Sequence, residues 1–398
     1  MLIATARVEG VGARKLEQGT GVIYRKWIRL SEKPSPGDLV RLETPSGFEA
    51  CGLWEPTGPV AVRIVSLDGC PYSTSSEAVV DRVRAALRLR EKAGLRVPGG
   101  GYRLVNSDGD LLSGLIVDVF ADTLAVVQSS SIAIDALMHV IADAIHELVG
   151  AENIYEKSTQ RSRKDLGLPA RRRWIRGGRG RVVIDEGGVK FLVDVEAGQK
   201  TGFYFDQRPN RLELERLVGR DDTVADVFSY TGGFGLHAAH AGARKIVFVE
   251  EDPAAISILK ENLKLNNVEN YEIVNDTVWN VMREGRLKGN AYDIVVVDPP
   301  AFIQSGDEEA VRRGVRAYTS VYKWGFQLAR KPGLLYLSSC SYFLTRPMFL
   351  RVVGRAARLA GARMHRIMGS LRGAGRDHTL GVAEYLDYLK GAFIWVEG

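Results

Sequence analysis

From about residue 191 onward, apolar runs of strand length alternate with runs of helical periodicity, and this alternation restricts the fold more than any other feature of the chain. Strands are expected at Thr223–Phe228, Lys245–Glu251, Tyr271–Asn275, Tyr292–Asp298 and Gly333–Ser338, with a closing antiparallel pair near His365–Met368 and Tyr385–Val396. Helices are expected near Gly233–Ala241, Pro253–Asn266, Thr277–Arg286, Glu308–Arg330 and Pro347–Leu359. Continuous apolar strands such as Ile294-Val-Val-Val297 suit a parallel sheet covered on both faces. The implied architecture is a doubly wound α/β fold, whose ligands bind at the carboxyl ends of the strands.

That unit, 191–398, leaves half of the 398 residues for other work. Residues 1–72 read as short strands split by turn signals at Pro34-Ser-Pro-Gly37 and Pro45-Ser-Gly47, a small β-rich module. Residues 73–190 open with a basic amphipathic helix, Val79 to Lys92, and a glycine-rich break at 98–101. A hairpin-like pair (Leu112–Val119, Thr123–Val127) and a helix near Ala136–Val149 follow, which makes this an α+β unit. No stretch approaches the roughly 18 uninterrupted apolar residues of a membrane span, and Arg7 and Glu9 interrupt the first ten residues, so a cytoplasmic protein without a membrane partner is expected. Cys51, Cys70 and Cys340 are too few and too scattered for a disulfide framework, and no metal-ligand spacing occurs, so no metal is expected.

The formal charge of +6 is concentrated. Arg161, Arg163, Lys164, Arg171, Arg172, Arg173, Arg176, Arg179 and Arg181 face one acid, Asp165, and the rest of the chain is slightly acidic. Such a cluster is the footprint of a polyanion partner, and Trp174 within it is able to stack on a base. A solvated loop at a domain boundary is the competing reading. Arg25, Lys26, Arg29 and Lys33 raise the same pair of alternatives in the N-terminal module.

The chemistry gathers at consecutive strand ends. The first strand of the α/β unit runs through Asp226-Val-Phe228-Ser229-Tyr230-Thr231-Gly232-Gly233 into a helix, and its glycines let the backbone pass close to a ligand. The pattern is not Gly-x-Gly-x-x-Gly, which favours a nucleoside-type cofactor over a pyrophosphate one. Eighteen residues after Gly232, Glu250 ends the second strand, where a carboxylate accepts from two ribose hydroxyls. Asp276 follows the third strand, placed for an adenine amine or a water, and Asp298-Pro-Pro300 ends the fourth. Each carboxylate alone is as good a helix cap, but the four signals together point to S-adenosylmethionine. Cys340 ends the fifth strand near a helix start, where a thiolate is favoured. Thiolate addition at C6 of a pyrimidine makes C5 nucleophilic enough to take a sulfonium methyl group. Asp298 is the candidate contact at N3, and no side chain declares itself as the base that removes the C5 proton.

The residues also resemble a family. Gly198-Gln-Lys-Thr-Gly202-Phe-Tyr-Phe-Asp206-Gln207-Arg208, the stretch Asp226–Gly235, Asp298-Pro-Pro300 and Ser339-Cys340-Ser341 are similar to motifs of the PUA-domain-containing cytosine-C5 methyltransferases of large-subunit ribosomal RNA. The resemblance runs the whole length and implies a Rossmann-like class I methyltransferase domain behind an N-terminal PUA-like β-barrel and a central α+β domain. It implies Arg14 and Lys15 as part of an RNA-binding PUA module, S-adenosylmethionine as donor, and Cys340 as the covalent nucleophile. It assigns Lys200, Thr201 and Arg208 to covering the cofactor, ribosomal RNA as partner, and self-association as a homodimer. The chain departs from the family at Ala301-Phe302, where a Lys usually precedes the Phe, and at His378-Thr379, where a Pro usually follows the His.

Three other readings stay open at this level. A purine N-methyltransferase would use Asp-Pro-Pro and an aromatic as an amine clamp, but here the aromatic arrives one residue late and Cys340 has no task. Uracil-C5 methylation uses the same thiol logic. An RNA-binding protein with a scaffold methyltransferase domain is the third, opposed by the presence of Glu250, Asp276 and Asp298. His237 and His240 read as packed or solvent-facing, His378 as a loop residue or an RNA contact, and Tyr230 and Phe302 as walls of the site.

Overall fold

The computed structural model describes residues 4–30, 32–287, 289, 291–362, 364–381 and 384–397; residues 1–3, the start of the expected N-terminal module, lie outside these. The chain packs as two compact units. The first takes residues 1–184, 193–205 and 376–386, and the second takes 185–192, 206–375 and 387–398.

In the first unit, β1 (Ala4–Val8), α1 (Gly10–Glu17), β2 (Val22–Tyr24), β3 (Ile28–Leu30), β4 (Leu39–Glu43), β5 (Glu49–Trp54) and β6 (Val60–Ser66) form a six-stranded sheet in the order β2-β6-β5-β4-β1-β3. Then come α2 (Ser75–Lys92), β7 (Gly101–Asn106), β8 (Leu115–Phe120), β9 (Leu124–Ser129), α3 (Ile132–Ala136), α4 (Met138–Val149), β10 (Asn153–Ser158), α5 (Arg161–Asp165) and β11 (Arg171–Arg176), with a five-stranded sheet ordered β11-β10-β9-β8-β7. The expected boundary at residue 72 is not a break in packing. Leu39, Cys51, Leu53 and Val65 of the β-rich module share a core with Val79, Val83 and Leu87 of α2. A buried Arg63–Glu55 ion pair at 2.8 Å is also held by Ser113 and Ser131. The basic stretch is not one loop: α5 opens it and β11 forms an edge strand.

A hairpin, β12 (Arg181–Glu186) and β13 (Val189–Asp194), straddles the division. The second unit continues with α6 (Arg208–Leu217), β14 (Thr223–Val227), α7 (Gly233–His240), β15 (Lys245–Glu250), α8 (Pro253–Leu265), β16 (Tyr271–Asn275), α9 (Val278–Arg283), β17 (Tyr292–Val297), α10 (Glu308–Leu328), β18 (Ala329–Ser339), α11 (Arg346–Ala360), β19 (His365–Ile367) and β20 (Lys390–Val396). The sheet order is β16-β15-β14-β17-β18-β20-β19, parallel except at β20, which runs antiparallel to both its neighbours. The expected last strand from Tyr385 starts only at Lys390, because 384–386 form a short 3-10 turn that belongs to the first unit.

Local chemistry accounts for the alternation. Asp252 caps α8 by accepting from Ala254 N at 2.9 Å ahead of Pro253, and Asp307 caps α10 with Glu308 and Glu309 in its first turn. Val295, Val296 and Val297 of β17 are wholly buried, each contributing about 1.5–3 kcal/mol by leaving water. A Cβ on Gly235 would meet the Phe248 ring at 2.2 Å, so only glycine lets α7 lie this close to β15. These contacts bring the carboxyl ends of β14, β15, β16, β17 and β18 to one rim.

Candidate active site

Asp226 is buried near the end of β14 and accepts from Gly235 N at 2.8 Å, which ties the strand to the first turn of α7. Burial pushes its carboxyl up to about 7; the Gly235 amide opposes this, while Asp298 and Glu250 add to it. Between them the chain turns through positive φ at Phe228 (65°), Tyr230 (50°) and Gly232 (90°). The two non-glycine residues cost about 1 kcal/mol or more each, strain of the kind that collects at ligand clamps. Glu250 holds this turn from β15. Its carboxylate accepts from Tyr230 N at 2.7 Å, Glu251 N at 3.0 Å and Asp252 N at 2.9 Å.

Asp276 lies beyond β16, bonded by Thr277 N and Asn280 Nδ2 and paired with Arg286. The Asn280 amide leads the groups that hold its carboxyl below the usual range. Beside it an aromatic wall has formed. Phe302 packs on Phe228, Trp279 and Tyr318, with ring centroids 6.3, 5.8 and 4.8 Å apart. Trp279 is 43% exposed. The set fits a nucleoside cofactor: a carboxylate for ribose hydroxyls, a glycine turn with its backbone close to the rim, and flat aromatic surface for a base. Phe228, Ser229, Tyr230, Thr231, Gly232, Gly233, Glu250 and Asp276, the residues expected at a cofactor, all fall within this unit.

Asp298 follows β17 and meets the end of the parallel neighbour β18, where Val297 is in register with Leu337. The Ser338 hydroxyl and Gln207 Nε2, the latter at 2.8 Å, both donate to Asp298 Oδ1. Gln207 is itself oriented by Tyr336 and Asn210, which donate to its carbonyl oxygen at 2.9 and 2.6 Å. Cys340 comes two residues after Ser338 and is half-buried. Its turn is pinned to the chain after the paired prolines: Ser341 Oγ hydrogen-bonds with Tyr318 OH at 2.8 Å and accepts from Ile303 N at 3.1 Å. The structure therefore joins Asp226, the 228–233 turn, Glu250, Asp276, Asp298 and Cys340 on one edge of one sheet.

Other expected residues are held by partners of their own. Arg208 donates to Glu186 Oε2 at 3.0 Å, within a buried cluster in which Arg211 makes two bonds to the same carboxylate and His237 bridges Glu186 and Glu215. Burial alone would raise the Glu186 carboxyl, but Arg211, His237 and Arg208 outweigh it and hold it far below the usual range. Lys200 and Thr201 fold with the first unit: Lys200 stacks over Tyr204 and Thr201 donates to Asp118 at 2.6 Å. His378, also in the first unit, is 4% exposed beside Asp377 and presents no surface to an RNA.

The basic residues divide by burial. Arg163, expected on the RNA face, is corrected by its position: it is 1% exposed, donates twice to the Asp135 carboxylate at 2.9 and 2.7 Å, and also binds the Ser129 and Pro169 carbonyls. Its guanidinium serves the core. Arg172, Arg161, Arg14 and Lys15 are exposed, Arg171 and Arg173 pair with Asp135 and Glu156, and Trp174 packs on Tyr155 with centroids 4.9 Å apart. No helix among the described residues is long and apolar enough to cross a membrane.

Comparison with known proteins gives the family. Residues 7–67 match a PUA-like domain and residues 182–321 match the TRM5/TYW2 methyltransferase domain. The ribosomal RNA large subunit methyltransferase I of Aeromonas salmonicida is 34% identical over 380 residues, covering 94% of each chain. This chain belongs to the ribosomal RNA large subunit methyltransferase I family. A solved putative SAM-dependent methyltransferase from Streptococcus mutans has the same fold, with a TM-score of 0.78 at 20% identity, covering 99% of this chain and all of its own. A putative methyltransferase complexed with SAH gives 0.79 at the same identity and coverage. The fold of the second unit is that of the S-adenosylmethionine-dependent methyltransferases, and the first unit contains the PUA-like domain of the family.

Sequence reasoning missed Gln207 as the support of Asp298, Trp279 as part of the aromatic wall, and Lys390, which lies beneath the Cys340 turn. Gln207 belongs to the 198–208 motif, which was its one local signal. Neither of the other two carries a local signal.

Proposed function

We propose that this chain transfers the methyl group of S-adenosylmethionine to C5 of a cytosine in large-subunit ribosomal RNA, with Cys340 as the nucleophile. The observation that carries the reading is a thiol at the carboxyl end of β18, next to the Asp298-Pro-Pro turn that ends the adjacent parallel strand. The names of the family's members support large-subunit RNA as the substrate class.

Bound S-adenosylmethionine supplies an electrophilic methyl group. The Cys340 sulfur forms a bond to C6, and the displaced electron pair makes C5 able to take that methyl. Asp298, oriented by Gln207 and Ser338, contacts the N3 edge and holds the ring in register with the thiol. Loss of the C5 proton to a base then breaks the S–C6 bond and returns the thiolate. Phe302 and its aromatic neighbours provide apolar surface for a base that has left its helix. Arg14, Lys15, Arg161, Arg171, Arg172 and Arg173 supply the phosphate contacts.

The test is to incubate the purified protein with isotope-labelled S-adenosylmethionine and unmodified large-subunit RNA, digest to nucleosides, and identify the labelled species by mass spectrometry. Labelled 5-methylcytidine is expected. Label in 5-methyluridine would keep the thiol chemistry and change the base, whereas label in an N-methylated purine would make the Asp298 turn an amine clamp and Cys340 structural.

A further inference from the structure

Lys390 opens β20 and is the cross-strand partner of Ser339. Its side chain is buried, 1% exposed, and its ammonium donates to the Ser341 and Tyr388 carbonyl oxygens at 2.6 Å each. The cation therefore sits against the backbone of the residue that follows Cys340. Among the described residues no carboxylate pairs with it. Asp387, three residues earlier, is engaged by Arg346 through two nitrogens. A buried charge without a counter-ion is costly, and two neutral carbonyls do not balance it. Burial pushes the ammonium down to about 8, and the Cys340 sulfur leads the groups that oppose this.

The other groups around the thiol do not supply the balance. Tyr318 and Tyr322 come from α10, and burial raises both, Tyr318 to about 12, so both stay neutral near neutral pH. Asp298, from the turn after β17, is engaged by Gln207 and Ser338 and offers no positive charge. Arg346 and Asp387 offset each other. Of the charged or titratable side chains whose field acts on Lys390, namely Cys340, Asp387 and Arg346, Cys340 acts most strongly.

We infer that Lys390 is a positioning residue that holds Cys340 as a thiolate, acting as its buried counter-ion while tying down the carbonyl of Ser341. The need for a thiolate rests on the nucleophile reading above, but the acidity of the thiol is a separate property and is measured separately.

The experiment is alkylation of the full-length protein with iodoacetamide from pH 5 to 10, read by mass spectrometry of the peptide containing Cys340, which separates it from Cys51 and Cys70. The wild type is expected to show an inflection at least about one unit below the free-thiol value near 8.5. Lys390→Met, shown to be folded by its circular dichroism, should raise the inflection by about one unit or more and slow alkylation at pH 7 about tenfold. Lys390→Arg should keep the inflection low.

A wild-type inflection at or above the free-thiol value overturns the inference, as does a folded Lys390→Met with an unshifted profile. Should Lys390→Met fail to fold, the Arg variant decides: an inflection risen to the free-thiol value sinks the proposal, and a low one supports a cation at this position. Methylation by Cys340→Ala at the wild-type rate would remove the nucleophile reading while leaving the alkylation result as it stands.

Discussion

Among the described residues, each unit of this protein buries one lysine in nearly the same way. Lys157 in the first unit is 2% exposed and donates to the carbonyls of Val195 and Gly198; Lys390 in the second is 1% exposed and donates to those of Ser341 and Tyr388. Burial leads the causes that push both ammonium groups down to about 8. The difference lies in what faces them. Lys157 has Asp194 and Glu196 in its field and fastens the turn that follows β13, whereas Lys390 has a thiol at a strand end. On the reading proposed above, one arrangement of a lysine and two carbonyls is structural in one place and chemical in the other, decided by the neighbouring side chain.

The largest test of this contrast removes the thiol. Cys340→Ala should lower turnover by at least about 10³-fold, as loss of a nucleophile does, with cofactor affinity by calorimetry nearly unchanged. Retained turnover would remove the thiol's catalytic role from the contrast and leave only its acidity to distinguish the two lysines. A third buried cation sharpens the structural side: Arg163→Ala strands the Asp135 carboxylate and should cost about 3–5 kcal/mol in urea unfolding, unless Arg171 takes over that carboxylate. Lys157→Met leaves two carbonyls without their donor and should cost about 1–3 kcal/mol, with the pH profile of Cys340 alkylation unmoved. A shift in that profile would break the comparison.

The same lysine makes a prediction in pH. Its folded-state value, about 8, lies below the unfolded 10.5, so the folded protein prefers it neutral. Its burial penalty is full below pH 8 and fades as pH rises toward 10.5, where the unfolded chain still holds the proton. Unfolding free energy should therefore gain from this group across that window, and Lys157→Met should flatten the gain. The smallest expected effect is at the surface: Arg172→Ala should reduce the slope of log affinity for RNA against log salt by about one and leave stability within error. An unchanged slope would return the exposed arginines to ordinary solvated charge.

The parts of this molecule legible in the sequence are those with a local cause. The strands of the α/β unit were placed within a residue or two at most ends because alternation, caps such as Asp252 and Asp307, and continuous apolar runs are written over short windows. Asp226, Glu250, Asp276, Asp298 and Cys340 were legible as candidates for a related reason: in a parallel sheet the strand ends fall on one edge, so position along the chain implies position in space. The strand expected from Tyr385 failed at its start because nothing local separates 384–386, which pack with the first unit, from the strand that follows.

Burial of charge had no local sign. Arg163 and Arg172 lie nine residues apart in one basic stretch, yet one is locked on Asp135 in the core and the other faces water, because that outcome depends on a carboxylate 28 residues upstream. Gln207 reaches Asp298 across 91 residues, and Lys390 reaches Ser341 across 49. Fold class, the rim of strand ends and the thiol at its edge were legible before any contact was known, since all three follow from periodicity and strand ends. Which charges are buried, what orients Asp298 and what faces Cys340 emerged only on folding, because desolvation and hydrogen bonding are set by neighbours in space.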